Sequence, residues 1–478
     1  MKKINILLVS AIMLFATSCD LDRKPFDGLT AEQQFSSVNG FNDAVKGIYS
    51  GFRGGGYYSA NGYWITSGDV FSDNLTLNQQ GRLTQKSLFE LQNTAIDNSF
   101  PIYGRAYIII SRANAILDNL DGIPKTAKRD QFEAEALAAR AILHFDIARV
   151  YCKIPTQSPD AKQSMGIHYS KTYAPDSKNR RKGTTVDGVY QNVIQDLLKA
   201  RDLIGDFKEY GRLNKNAING LLAKVYLFYG DYENAAKYAQ EVVNAGVAVT
   251  PRNKVAALWK DEHKPSVLFA ISIVDKDRAE IGTGYGQSAK GENRAEYVCS
   301  DQLYKLFKDT DIRKTTSVEV GLFSEKYYRS VAKYFGRSSG NKNVVDGKYL
   351  RVEEVYLTLA EALARQGGKD AEALAVLDKL RKERYEGFTS ANETGANLLD
   401  AILLERRLEL AFEGDRFFTL KRLALGLNRG SEGEFADGTG TAPRVLTYPA
   451  DGYRWQLPIP QGAIDAFPEL LEDQNPGY

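Results

Sequence analysis

Histidine, cysteine and serine carry most nucleophilic and general-base chemistry, and this chain is sparing with the first two. It holds three histidines, His144, His168 and His263, and three cysteines, Cys19, Cys152 and Cys299. No two histidines stand at helical spacing. There is no HExxH, no CxxC and no Walker loop, so the sequence supports neither a metal nor a nucleotide site and implies no cofactor. Gly336-Arg337-Ser338-Ser339-Gly340 fits the G-x-S-x-G of a nucleophile elbow. An elbow needs a strand before it, a helix after it and a histidine later in the chain. Here polar residues 341–348 follow and every histidine lies upstream, so the motif is expected to be a glycine-serine loop. Gly282-Thr283-Gly284-Tyr285-Gly286 lacks the spacing of a dinucleotide fingerprint. His144 stands among apolar helix neighbours and reads as a packing residue. Sixty acidic residues leave paired carboxylates, and hence glycoside hydrolysis, open.

The cysteine with the clearest chemistry is Cys19. Lys2 and Lys3 precede an apolar run from Ile4 to Ala16, and Thr17-Ser18 then lead to Cys19. That run is too short to span a bilayer, which takes about 20 residues, and has the length of a secretory h-region. Small residues before a cysteine resemble a bacterial lipobox. The thiol would be acylated, the signal cut, and the chain would begin at Cys19. One acyl chain holds only marginally, whereas several anchor a protein stably. Residues 20–25 read as a polar tether. The other two thiols, Cys152 and Cys299, are expected to be isolated, although spacing alone cannot show whether they meet.

Charge narrows the function further. Lysine and arginine number 62 against 60 acidic residues, and two lysines leave with the signal, so the body is near neutral. A nucleic-acid partner demands a basic footprint and is not expected.

Helices must position whatever chemistry remains. In AEALAARAILHFDIARVY, residues Ala134, Leu137, Ala138, Ala141, Phe145 and Ala148 recur at three- and four-residue steps along one face. Residues 103–120 read as its partner, and residues 187–204 open another pair. In residues 220–243, Ala223, Tyr226, Gly230, Tyr232 and Ala235 have the small/aromatic/glycine spacing of a tetratricopeptide repeat. Residues 352–384 repeat the idea and turn at Gly367-Gly368, and one long helix is expected over residues 397–423. Insertions near residues 275–348 and 426–454 interrupt any fixed period, and SVLFAISIV, residues 266–274, reads as a strand. The pattern predicts a mainly α scaffold carrying an irregular lobe.

Several segments together resemble the SusD/RagB family of outer-membrane lipoproteins. ERRLELAFEGDRFFTLKRL (405–423) is similar to the family's signature helix, and YLRVEEVYLTLAEAL (349–363) to the repeat helix before it. SDQLYKLFKDTDIRK (from Ser300), the closing LPIPQGAIDAFPELLEDQNPGY, GFNDAVKGIYSGF and DVFSDNL match in order, across nearly the whole mature chain. One departure is Asp415-Arg416-Phe417-Phe418, where many members carry histidine and tryptophan. The resemblance implies a SusD-like fold, a right-handed scaffold of tetratricopeptide-like helix pairs against an irregular lobe with few short strands. It divides the chain into a signal peptide (1–18), a lipidated tether (19–40), an N-terminal region with the helix pairs (41–260) and a C-terminal region (261–478). It also implies a role: a non-enzymatic protein on the outer face of the outer membrane that binds a nutrient, usually a glycan, and caps a SusC-like TonB-dependent transporter. A peptide ligand, a lipid-anchored glycoside hydrolase and a protein-binding repeat scaffold are the alternatives. Arg406, Arg407, Glu409, Glu413 and Arg416 lie at steps suited to ion pairs along the signature helix and read as structural.

Glycans need flat aromatic faces and planar polar groups. The chain has 27 tyrosines and three tryptophans. Trp259 and Trp455 read as packing residues. Trp64 sits in the glycine-rich aromatic stretch GGGYYSANGYWITSGD together with Tyr58, and loops that present aromatics are common binding surfaces. Asn78 and Arg82 follow nearby, and Tyr285 is the candidate from the lobe. These five are the expected ligand residues, against the alternative that the aromatics pack the first helical layer.

Overall fold

The structure, a computed structural model, describes residues 30–97, 99–174, 178, 180–289 and 292–478. The signal segment, Cys19 and the start of the tether lie outside these residues. The eleven described helices of eight or more residues are α1 (Val38–Phe52), α2 (Tyr63–Val70), α3 (Tyr103–Asp118), α4 (Ala127–Tyr151), α5 (Val186–Leu203), α6 (Lys215–Tyr229), α7 (Tyr232–Asn244), α8 (Val352–Gln366), α9 (Asp370–Lys382), α10 (Gly395–Glu409) and α11 (Asp415–Arg422). No described helix is long and apolar enough to cross a membrane.

Consecutive helices from α3 to α7 pack side by side, and α8 and α9 form a further pair. The sequence explains the turns. Gly230, between α6 and α7, adopts φ +87°, and the Asp231 side chain caps α7 by accepting from the Asn234 amide. Ala223 and Ala235 are fully buried, and the Tyr226 and Tyr238 rings lie parallel with centroids 5.6 Å apart. Gly367 and Gly368 both have positive φ where α8 ends. The helix pairs are those the small/aromatic spacing predicts.

The lobe is inserted between α7 and α8, which pack together although more than a hundred residues separate them in sequence. Strand β2 (Val267–Ile271), inside the expected SVLFAISIV, pairs antiparallel with β8 (Gly347–Arg351), which runs directly into α8. A four-stranded sheet has the order β1 (Leu75–Leu77), β5 (Tyr297–Cys299), β7 (Lys326–Val331), β6 (Val318–Phe323), so an N-terminal strand is part of the lobe. Strands β3 (Gly286–Ala289) and β4 (Glu292–Ala295) pair antiparallel as a separate two-stranded sheet. Gly336 bridges to Lys342 in a turn, and no helix follows Ser338, so the nucleophile elbow is absent there. Cys152 and Cys299 are free and buried.

The long helix expected over residues 397–423 is two helices, α10 and α11. The chain breaks at residues 410–414, where Phe412 has φ +68° and Gly414 φ +79°. A distant segment imposes the break: the Asp69 carboxylate accepts from the Gly414 amide at 2.7 Å. Gly68 and Gly414 lie so close that a Cβ on Gly68 would stand 2.2 Å from the Gly414 carbonyl.

The charges on this stretch are buried or partly buried, and they pair with other segments or across the break rather than at the helical steps the sequence suggested. Glu409 accepts from Arg384 at 2.8 Å, Arg351 at 3.0 Å and Arg313 at 3.4 Å. Glu413 meets Arg351 and Lys333, each at 2.7 Å. Arg406 reaches Glu354 and Asp415, and Arg416 reaches Asp73 at 2.7 Å. Burial alone would raise the Glu409 carboxyl; the surrounding arginines outweigh it and hold the group well below the carboxylate range. Removing one partner of a buried pair leaves uncompensated charge, which costs about 3–5 kcal/mol. Glu409→Ala is therefore expected to lower stability by about that much in denaturant melts, while Asp43→Ala, at an exposed pair with Lys46, leaves the midpoint unchanged.

Candidate functional site

The five residues chosen from sequence fall in two places. Tyr58 and Trp64 lie inside the protein. Trp64, on α2, is 7% exposed; its indole lies parallel to Tyr349 at 6.0 Å and carries the Arg149 guanidinium at 5.4 Å. Tyr58 is fully buried against Gly347, where a Cβ would stand 2.3 Å from its ring. Both line a cavity of about 30 Å³ together with Arg149, Lys224, Arg351 and Glu413. That is room for a water, not a sugar ring. Their rings join the core because Tyr349 and Arg149, from segments far away in sequence, close over them.

Asn78, Arg82 and Tyr285 are brought together around the chain between Thr283 and Glu296. Asn78 is buried; its Nδ2 donates to the Ala295 carbonyl at 2.6 Å and its Oδ1 accepts from the Gln80 amide at 3.0 Å. Such a side-chain turn fixes a loop's shape. Arg82 donates to Glu296 through its amide at 2.9 Å and its Nε at 3.3 Å, and through a terminal nitrogen to Asn61 Oδ1 at 2.8 Å and the Thr283 carbonyl at 3.2 Å. Its side chain is one-third exposed. Tyr285 is 2% exposed, with its hydroxyl against the Ile65 and Phe412 carbonyls and its ring parallel to Tyr334. Tyr58, Trp64 and Tyr285 thus present no ring face to a ligand. Of the five, Arg82 is the one whose side chain reaches the surface.

The other residues singled out are also structural. His144 is fully buried; its Nε2 accepts from the Ser170 amide at 3.0 Å, which leaves Nδ1 to donate to the Arg140 carbonyl at 2.8 Å. Burial pushes its pKa down to about 3. Trp259 is covered by Lys333 at 4.5 Å, and Trp455 is fully buried with Nε1 on the Pro449 carbonyl.

An open cleft of about 610 Å³ lies between the short helix Asp301–Leu306 and the paired strands β9 (Leu427–Asn428) and β10 (Thr447–Tyr448). Gln302, Lys305, Asn428, Ser431 and Glu432 supply its polar lining, and Leu446 is apolar. Asp301 is tied to Lys305 at 2.6 Å and Arg329 at 2.9 Å. Burial would raise the Asp301 carboxyl, but Lys305 and Arg329 hold it below its usual value. Arg429 has no acidic partner. It donates to the carbonyls of Val70, Phe71, Ser72, Phe89 and Val445, which satisfies the open C-terminal end of α2. Sequence reading marked residues 426–454 only as an insertion; no motif there announced a cleft wall.

The architecture and this cleft define a helix-repeat protein with a mixed lobe and an open cleft that carries two side-chain amides. The family follows from comparison. The model of the SusD family matches residues 156–478, and a second model, described as starch-binding associating with outer membrane, matches residues 49–227. The chain belongs to the SusD family. SusD-like protein P2 of Formosa agariphila is 24% identical over the full length of both chains. Among solved structures, a putative sugar binding protein from Bacteroides vulgatus superposes with a TM-score of 0.80 at 26% identity, covering 93% of this chain and 99% of that one. Surface glycan-binding protein A from Bacteroides uniformis superposes with a TM-score of 0.71 at 19% identity, covering 92% and 99%. These agree with the mainly α, SusD-like fold expected from the sequence.

Two outcomes test the site residues. His144 titrates near 6.5 unfolded and near 3 folded, so its stabilising contribution is complete above 6.5 and is lost as pH falls through that window. Wild type should lose about 1 kcal/mol per pH unit more than His144→Gln below 6.5. The difference isolates the histidine because Asp69, pushed up to about 7 by burial, acts in the opposite direction over the same range. Trp64→Ala is expected to cost about 3–5 kcal/mol of stability, whereas Ser431→Ala, exposed in the open cleft, leaves the melting temperature unchanged.

Proposed function

We propose that this protein captures a glycan at the cell surface and delivers it intact to a SusC-like TonB-dependent transporter, held on the outer membrane, facing outward, by lipid on Cys19. The observation that carries the reading is the open cleft of about 610 Å³, which carries the amides of Gln302 and Asn428, on a SusD scaffold. Relatives in fold include one named a surface glycan-binding protein, and the N-terminal family description places such proteins at the outer membrane. Signal-like residues 1–18 ending at Cys19 supply the address and the anchor. Arg82, part exposed and fixed to three segments, is the second candidate contact. In this reading Asn78 and Tyr285 shape the surface around it, while Tyr58 and Trp64 hold the interior beneath.

Binding without cleavage is part of this reading. Glycoside hydrolysis usually takes a pair of carboxyl groups free to act on the substrate. Of the two carboxylates in the cleft lining, Asp301 is engaged by Lys305 at 2.6 Å and Arg329 at 2.9 Å.

The mature protein should be retarded in native gels cast with its polysaccharide, and the oligosaccharide should be recovered at its original length after prolonged incubation. Release of new reducing ends by the purified protein would refute the reading. Cys19→Ala should move the protein from the membrane fraction to the soluble fraction.

A further inference from the structure

We propose that the cleft takes an uncharged, hydroxyl-rich glycan and that Tyr327, on the hairpin beside it, is the stacking face. This rests on the glycan-capture reading above. Charge is the first ground. A polyanion would have to compete for cations that already have partners, because among the described residues every cation of the cleft lining is engaged. Lys305, exposed, is on Asp301 at 2.6 Å. Arg429 spends its donors on five carbonyls. Arg329 is held by Asp301 and by the Ala436 carbonyl. Glu432 lines the cleft without an ion pair and would repel a uronate. Asn428 and Ser431 remain to exchange hydrogen bonds with hydroxyls, and Gln302 adds its amide nitrogen, its Oε1 accepting from Arg407 at 3.5 Å.

The second ground is the hairpin of β6 and β7. Leu322 faces Tyr327 across it, and Val320 faces Arg329. Directly opposed residues share a face, as do residues two apart on one strand. Val320, Leu322, Tyr327 and Arg329 therefore form one face, and Arg329 ties that face to Asp301 in the cleft lining at 2.9 Å. Tyr327 is 58% exposed, Val320 48% and Leu322 44%. The opposite side of the hairpin buries Phe323 and Tyr328 and so fixes its position. The result is an exposed ring with aliphatic neighbours, on a rigid strand pair, beside the cleft's polar groups. Aromatic faces suit the C–H faces of pyranose rings, and the amides suit their hydroxyls.

The test uses the mature full-length chain in affinity gels and calorimetry with soluble starch and laminarin as uncharged probes and alginate and polygalacturonate as charged ones. Wild type is expected to bind an uncharged probe and neither charged one. Tyr327→Ala and Asn428→Ala should each weaken that binding at least tenfold with unchanged melting temperature. Tyr327→Phe should keep it. Binding of an uncharged probe that survives Tyr327→Ala, or tighter binding of a uronate, would overturn this inference and leave glycan capture standing. Binding of none of the four probes would overturn the inference, and retention of a peptide mixture instead would overturn glycan capture too.

Discussion

The structure turns on Glu409. Its carboxylate sits at the end of α10 and meets arginines from three other places: Arg313 in the lobe, Arg351 at the end of β8 and Arg384 after α9. Arg351 also reaches Glu353 and Glu413, and Arg384 donates to the Thr250 carbonyl. One anion thereby sets the relative positions of the lobe, the last strand of the insertion and the final helices. Apolar packing would stabilise the same volume at least as well, because buried ion pairs seldom recover their desolvation cost. What charge adds is direction: a guanidinium bonds a carboxylate in few orientations. A lobe inserted between packed helices has many near-equivalent ways to sit, and the arginine cluster selects one.

The same logic separates what the sequence could show from what it could not. The helix pairs were legible because their determinants are local: Ala223, Tyr226, Gly230 and Ala235 meet within one hairpin. The break after Glu409 was not, because its cause is Asp69, hundreds of residues upstream, taking the Gly414 amide. Trp64 was misplaced for the same reason. A glycine-rich aromatic stretch looks exposed until Tyr349, Phe418 and Arg149 close over it. The loop at Arg82 is shaped locally by Asn78 and Gln80, but the anchor of the Arg82 side chain, Glu296, is distant and left no mark in the local pattern. The cleft gave least warning. Its walls come from the Asp301–Leu306 helix and from residues 428–432 and 446–447, and no short motif records their meeting.

Those walls are nonetheless tied to the core. Asp73, at the end of the segment after α2, accepts from Arg407 and Arg416, so the N-terminal chain is bound to α10 and α11. Arg429, in the cleft wall, then grips the last carbonyls of α2 from the other side and lies against the Phe89 ring at 3.9 Å. Burial lowers its pKa to about 9, which still leaves it a cation at neutral pH. A buried cation without an acid is costly unless its donors are filled. Five carbonyls fill them, and each is one that a helix end or a loop would otherwise leave open. The wall of the cleft and the end of α2 therefore satisfy each other. Loosening either exposes unpaired groups on both, so the cleft's shape is held before any ligand arrives. Binding to such a surface would cost little reorganisation.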